Sequence, residues 1–86
     1  MATREEIEYE IKFMMIMFPN WFPKLVSDGT ETEADVWYAY LKDIDAGILH
    51  RAVKEVGLES GRRFHPSIGE LIDRANYIIY VEGLKP

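Results

Sequence analysis

The chain is predicted to be all-α, a small bundle of four or five short helices, from three observations on its 86 residues. Capping boxes stand at Thr3-Arg4-Glu5-Glu6 and Ser67-Ile68-Gly69-Glu70, and apolar residues recur at spacings of three and four after each of them. The punctuating residues Pro19, Pro23, Gly29, Gly61 and Pro66 fall between these periodic runs and not inside them. A chain this short buries roughly 60 to 65% of its unfolded surface, so one compact core and a single helical domain over residues 1–86 are expected.

Helix one begins after Thr3 and runs to about Met17, with Ile7, Ile11, Met14, Met15 and Phe18 on one stripe. Phe13 and Ile16 widen that stripe, so the helix is either central to the bundle or offers a hydrophobic face to a partner. On its wetter side, Glu8 and Lys12 are spaced as an i,i+4 pair worth ~0.3 kcal/mol. Pro19 stops the helix by restricting Phe18. The aromatic segment Asn20-Trp21-Phe22-Pro23 then either tucks beneath the loop as core or forms an exposed recognition patch, before Ser27-Asp28-Gly29 turns the chain.

Helix two is predicted from about Thr32 to Lys42, with Thr30 and Thr32 as competing caps and Ala34, Trp37, Leu41 and Ile44 facing inward between Tyr38 and Tyr40. Asp45 caps helix three, whose core face is Ile48, Leu49, Ala52, Val53 and Val56. Gly57 weakens the end of that helix by roughly 1 kcal/mol relative to Ala, and Gly61 suits a left-handed terminator. Pro66 then restricts His65 to extended backbone, and Phe64 is expected to plug the core just outside helix four. On that reading Phe64→Ala costs ~3 kcal/mol and loss of the Ser67 cap ~1 kcal/mol. Helix four starts at Ser67 and carries Ile68, Leu71, Ile72, Ala75 and Ile79 inward; the strand-like composition of Tyr77-Ile78-Ile79-Tyr80-Val81 leaves its end open.

Cysteine is absent, which removes disulfides and thiolate metal sites and suits a reducing cytoplasm. The most apolar run, Phe13 to Phe18, is too short to span a bilayer, and Glu5, Glu6, Glu8 and Glu10 precede it where a signal peptide would be basic. A soluble cytoplasmic protein is expected. Chemistry finds little footing. His50 neighbours Arg51 and Lys54, a cationic setting that repels a metal ion, and His65 has no second ligand at useful spacing. Ser27, Ser60 and Ser67 occupy no nucleophile elbow; Asp43 and Asp45 read as helix-end solvation and a cap; no glycine-rich phosphate loop is present. No catalytic residue, metal or cofactor is assigned.

Net charge is −5 and uneven: residues 1–46 carry four Lys/Arg against ten Asp/Glu, and residues 47–86 six against five. The overall acidity opposes non-specific binding to phosphates, which disfavours direct nucleic-acid contact and favours a protein partner. Arg51, Lys54, Arg62, Arg63 and Arg74, with His65, are read as surface solvation that balances Glu55, Glu59 and Glu70, as a patch for an acidic partner, or as a duplex-binding set. The residues assigned to partner binding are Arg62, Arg63 and His65, together with Arg51, Trp21 and Phe22.

Five landmarks, in this order and spacing, carry a family resemblance: Phe18-Pro19-Asn20-Trp21, Trp37-Tyr38, Leu41-Lys42-Asp43, Ala52-Val53, and Phe64-His65-Pro66-Ser67-Ile68-Gly69-Glu70-Leu71. Over about residues 5–75 the chain resembles the replicative-helicase loader and inhibitor family of Gram-positive bacteriophages, small acidic proteins with a helical N-terminal domain. The resemblance implies a non-enzymatic adaptor, working in the host cytoplasm, that holds a replicative helicase or other replisome protein. It would restrain the helicase and release it at an origin marked by an initiator; the alternative left open is a phage-encoded inhibitor of another host protein. His65 stands where the family typically has a second proline. In the family a flexible tail follows the helical domain and contacts the hexameric helicase, whereas this chain stops at Pro86. Either it is an isolated N-terminal domain, or its partner surface lies within the bundle.

Overall fold

Four helices make up the regular structure in a computed structural model that describes residues 1–83: α1 Arg4–Met17, α2 Glu33–Leu41, α3 Ala46–Gly57 and α4 Ile68–Glu82. No strand occurs among the described residues. Every N-terminus is closed by the side chain that its sequence offers. Thr3, Thr32 and Ser67 each accept from the backbone N–H three residues on, and Glu6, Asp35 and Glu70 return the bond, giving three capping boxes. Asp45 accepts from Gly47 and Ile48 at the start of α3. The strand-like stretch Tyr77 to Val81 stays helical, and Gly83, at φ +64°, ends α4 in the left-handed conformation. Residues 84–86, where the sequence reading left the conformation open, lie outside the described residues.

The core lies where the periodicity places it. Ile7, Ile11 and Met14 from α1, Ala34, Trp37 and Leu41 from α2, Leu49, Ala52 and Val53 from α3, and Leu71 and Ala75 from α4 are all buried. α3 packs along α4, α1 packs on both α2 and α3, and α2 meets α4. The first strap is the Ala2 N–H donating to the Lys42 carbonyl at 3.0 Å, and the second is the Glu33 N–H donating to the Lys24 carbonyl at 2.8 Å. Each closes a loop against a helix end.

Several expectations are corrected. Phe64 is 79% exposed, and the residue that fills the core before α4 is Pro66, which is fully buried. The chain bends at Phe64, the Arg62 guanidinium donates to the Phe64 carbonyl at 3.2 Å, and the phenyl ring turns outward. Toward the end of α4, Ile78 is the buried position, continuing the Leu71 and Ala75 face by spacings of four and three, while Ile79 packs partly buried at its edge. Ile16, counted in the widened stripe of α1, is 79% exposed. Glu8 pairs with Arg4 at 3.4 Å in place of Lys12, because Arg4 also reaches Asp35 of α2 at 2.6 Å and one side chain serves both carboxylates. Gly61 adopts φ +81° as expected, but α3 itself ends earlier, at Gly57.

The cap at Ser67 has a measurable consequence. Ser67→Ala is expected to lower the unfolding free energy by about 1 kcal/mol, read as a shift of the urea midpoint at unchanged slope. A change below about 0.3 kcal/mol would mean that the hydroxyl bond to the Glu70 N–H, 3.1 Å long, is replaced by water at no cost.

Candidate functional site

The site is assembled from the end of α1, the end of α3 and the segment leading into α4. Pro19 ends α1 just after Met17, which leaves Met17 and Phe18 side by side at the bundle edge. Gly57 ends α3 opposite them, and a Cβ on Gly57 would lie 2.8 Å from Met17 Cε. The missing side chain is therefore what lets Met17 lie against the end of α3. Trp21 leaves the aromatic loop and stacks on His65, with ring centroids 4.1 Å apart and planes 21° from parallel. Its other neighbour is Trp37 of α2, 5.7 Å away, whose Nε1–H donates to Glu33 at 3.0 Å. The row Trp37, Trp21, His65 links α2 to the approach to α4.

His65 is held at a defined angle. Its Nδ1 lies 2.9 Å from the Pro66 carbonyl, which can only accept, so Nδ1 carries the hydrogen and Nε2 is left over. The result is a groove of about 400 Å³ with Met17, Phe18 and Gly57 beneath, the Trp21/His65 stack as one wall, and Arg62, Arg63 and Phe64 opposite. Of the residues assigned to partner binding, Trp21, Arg62, Arg63 and His65 come together here; Arg51 and Phe22 do not line the groove. Phe22 is 86% exposed while Trp21 is half-buried against the core, so the aromatic loop divides between the two roles that its sequence left open.

The basic set follows the first of its three readings, in which its arginines balance nearby glutamates. Arg62 bonds Glu59 at 3.2 Å and Glu70, and its side chain is only 16% exposed. Arg74 bridges Glu55 at 3.2 Å and Glu59 at 3.3 Å. Arg51 pairs with Glu82 and, at 3.7 Å, with Glu55. Three arginines thus alternate with four glutamates along α3 and α4, in the order Glu82, Arg51, Glu55, Arg74, Glu59, Arg62, Glu70. This is a neutralised ladder and not a positive patch. The Arg62 guanidinium and the Ser67 N–H hold the Glu70 carboxyl below the ordinary carboxylate range, and Arg51 does the same to Glu82. Arg62 Nε is buried without an acceptor among the described residues. Arg63 is exposed and makes no ion pair among the described residues.

A second polar feature escaped the sequence reading. Glu10 of α1 is 6% exposed, and both of its oxygens lie 2.9 Å from His50 Nδ1 on α3. His50 therefore faces a carboxylate, not the cationic surroundings suggested by Arg51 and Lys54, with Phe13 edge-on to it at 5.4 Å and Tyr9 at 6.0 Å. The signal was present: Glu10 falls three after Ile7 and four before Met14, on the core stripe itself. Burial pushes the Glu10 carboxyl above its ordinary value, an effect that His50 opposes through its hydrogen bond and charge and that nearby Glu6 reinforces. Among the described residues no group of three or more His, Asp or Glu is placed to hold a metal ion, and no helix is long and apolar enough to cross a membrane.

No protein-family model matches the chain, and no curated protein or solved structure matches it significantly.

Proposed function

We propose that this chain is a non-enzymatic adaptor of phage DNA replication that docks a replicative helicase, as loader or inhibitor, through the groove between α1, α3 and the approach to α4. The observation that carries the proposal is the groove itself, in which Trp21, Arg62, Arg63 and His65 meet beside an outward-turned Phe64. A large ring held in solvent costs free energy, and a rigid aromatic beside arginine is the usual make-up of an energetic centre in a protein interface. The resemblance of the landmark order to that of the phage loader family supports a replicative helicase as the partner. Acidic surfaces elsewhere on a chain of net charge −5 suit a DNA-handling machine whose working surfaces are basic.

A duplex-binding role for α3 or α4 is served less well by the same geometry. Arg51, Arg62 and Arg74 are each engaged by glutamates, and a ladder of three positive and four negative groups attracts no phosphate backbone.

The proposal is tested by calorimetric titration of the full chain against the cognate replicative helicase, with and without ATP. Binding is expected, and Phe64→Ala should weaken it by roughly tenfold while leaving the fold intact. No detectable association by the intact chain, at concentrations where the helicase is hexameric, overturns it.

A further inference from the structure

Resting on that reading, we infer that the groove accepts an apolar side chain, best an aromatic one, directly adjacent to a carboxylate on the partner protein. The apolar half of this specification comes from Met17 and Phe18 beneath and from the Trp21/His65 stack at the side, which offers a ring face beside a thioether able to adjust its shape. The acidic half comes from an imbalance of donors. Arg63 has no carboxylate partner among the described residues, because the neighbouring Glu59 and Glu70 are both turned onto Arg62. His65 spends its Nδ1–H on the Pro66 carbonyl, which leaves Nε2 as an acceptor, and Arg62 Nε is buried, so the donor left for a partner is the Arg63 guanidinium. Against these, the Asn20 amide is the other polar side chain of the lining, and it carries no charge. A carboxylate is the group that takes a guanidinium fork in two parallel bonds, and none among the described residues is positioned to do so at Arg63.

The pairing separates this groove from the rest of the molecule. The cavity of about 330 Å³ between α3 and α4 is also lined by arginines, but there Arg51 and Arg74 are already matched by Glu55 and Glu82 and leave no charge to recruit an acidic ligand.

The test uses the full chain, labelled with nitrogen-15, and three blocked tetrapeptides that place Phe-Asp, Phe-Lys or Ala-Asp between glycines. With the Phe-Asp peptide, saturable shifts are expected at the Trp21 indole N–H and the Gly57 and Arg63 amides, and binding should be at least roughly tenfold tighter than with either other peptide. Arg63→Glu, an exposed change that leaves the core untouched, should reverse the preference toward Phe-Lys. Equal shifts from all three peptides, or shifts that map away from the groove, overturn the inference. Shifts at the same residues that grow with protein concentration in the absence of peptide would assign the groove to a second copy and also overturn it. The helicase titration fails or succeeds separately: helicase binding without peptide selectivity removes the groove chemistry alone, and peptide selectivity without helicase binding removes the adaptor role.

Discussion

Leu71→Ala is expected to lower the unfolding free energy by about 3 kcal/mol, and Phe64→Ala to change it by less than about 0.5 kcal/mol. Leu71 has no exposed surface and sits on α4 in the face that continues through Ala75 and Ile78. Removing its isobutyl group from an interior at crystal-like density leaves a void that the surrounding helices close only partly, so a cavity cost adds to the lost transfer free energy. Phe64 is 79% exposed, so truncation uncovers little and opens no cavity. Urea melts of both variants decide the matter. A loss of 2 kcal/mol or more for Phe64→Ala would put the ring back in the core and remove the exposed aromatic on which the docking groove depends. Together with the Ser67 prediction, the expected order is Leu71, then Ser67, then Phe64, which reverses the ranking of the last two that follows from sequence.

His50→Ala is expected to cost about 2 kcal/mol at neutral pH, less than a fully buried ion pair would lose because His50 is itself 34% exposed. The change strands the buried Glu10 carboxylate without the donor that both of its oxygens share. The pH dependence follows from the direction of the Glu10 shift. Burial raises its carboxyl above the unfolded value, so the folded state holds the proton more tightly than the unfolded chain does. Stability from this group is fully present below the unfolded value, near pH 4, and is lost as pH rises through the higher folded value. Relative to Glu10→Gln, the wild type should therefore lose stability between about pH 4 and neutrality. His50 lowers the Glu10 value by its bond and charge, while Glu6 on the same helix raises it; Tyr9 and Phe13 complete the surroundings. Removing His50 should then steepen the loss, and the penalty of His50→Ala should be larger at pH 7.5 than at pH 4.5 in paired urea melts. An equal penalty at both values would show that Glu10 is solvated in the folded state.

The parts of the site differ in how legible they were. Trp21 and His65 carried a usable sign, since an aromatic in a proline-bounded loop and a histidine before a proline both lacked an obvious helical role. Arg62 was read both as a balance for nearby glutamates and as a partner contact; Glu59 and Glu70 stand three and eight residues away, and the docking of α4 onto α3 brings both within its reach. Gly57 read as a weak helix end, whereas its lack of a side chain is what allows Met17 to lie beneath the groove. Arg51 was grouped with Arg62 and Arg63 by sequence proximity, yet it lies nearly two helical turns before the end of α3 and faces Glu82 of α4.

From sequence alone came the four helices, their caps and nearly all of the core. These follow from interactions within a few residues: a hydroxyl reaching the third N–H on, a proline restricting its predecessor, and apolar side chains repeating at 3.6. Tertiary structure alone decided that Phe64 turns outward while Pro66 fills the core, that Glu10 meets His50 across 40 residues of chain, and which arginine meets which glutamate, with Arg63 lacking a carboxylate among the described residues. The physical reason is the same in each case. The partner that determines the fate of these side chains lies on another helix, and its distance is set by packing, which no local rule encodes.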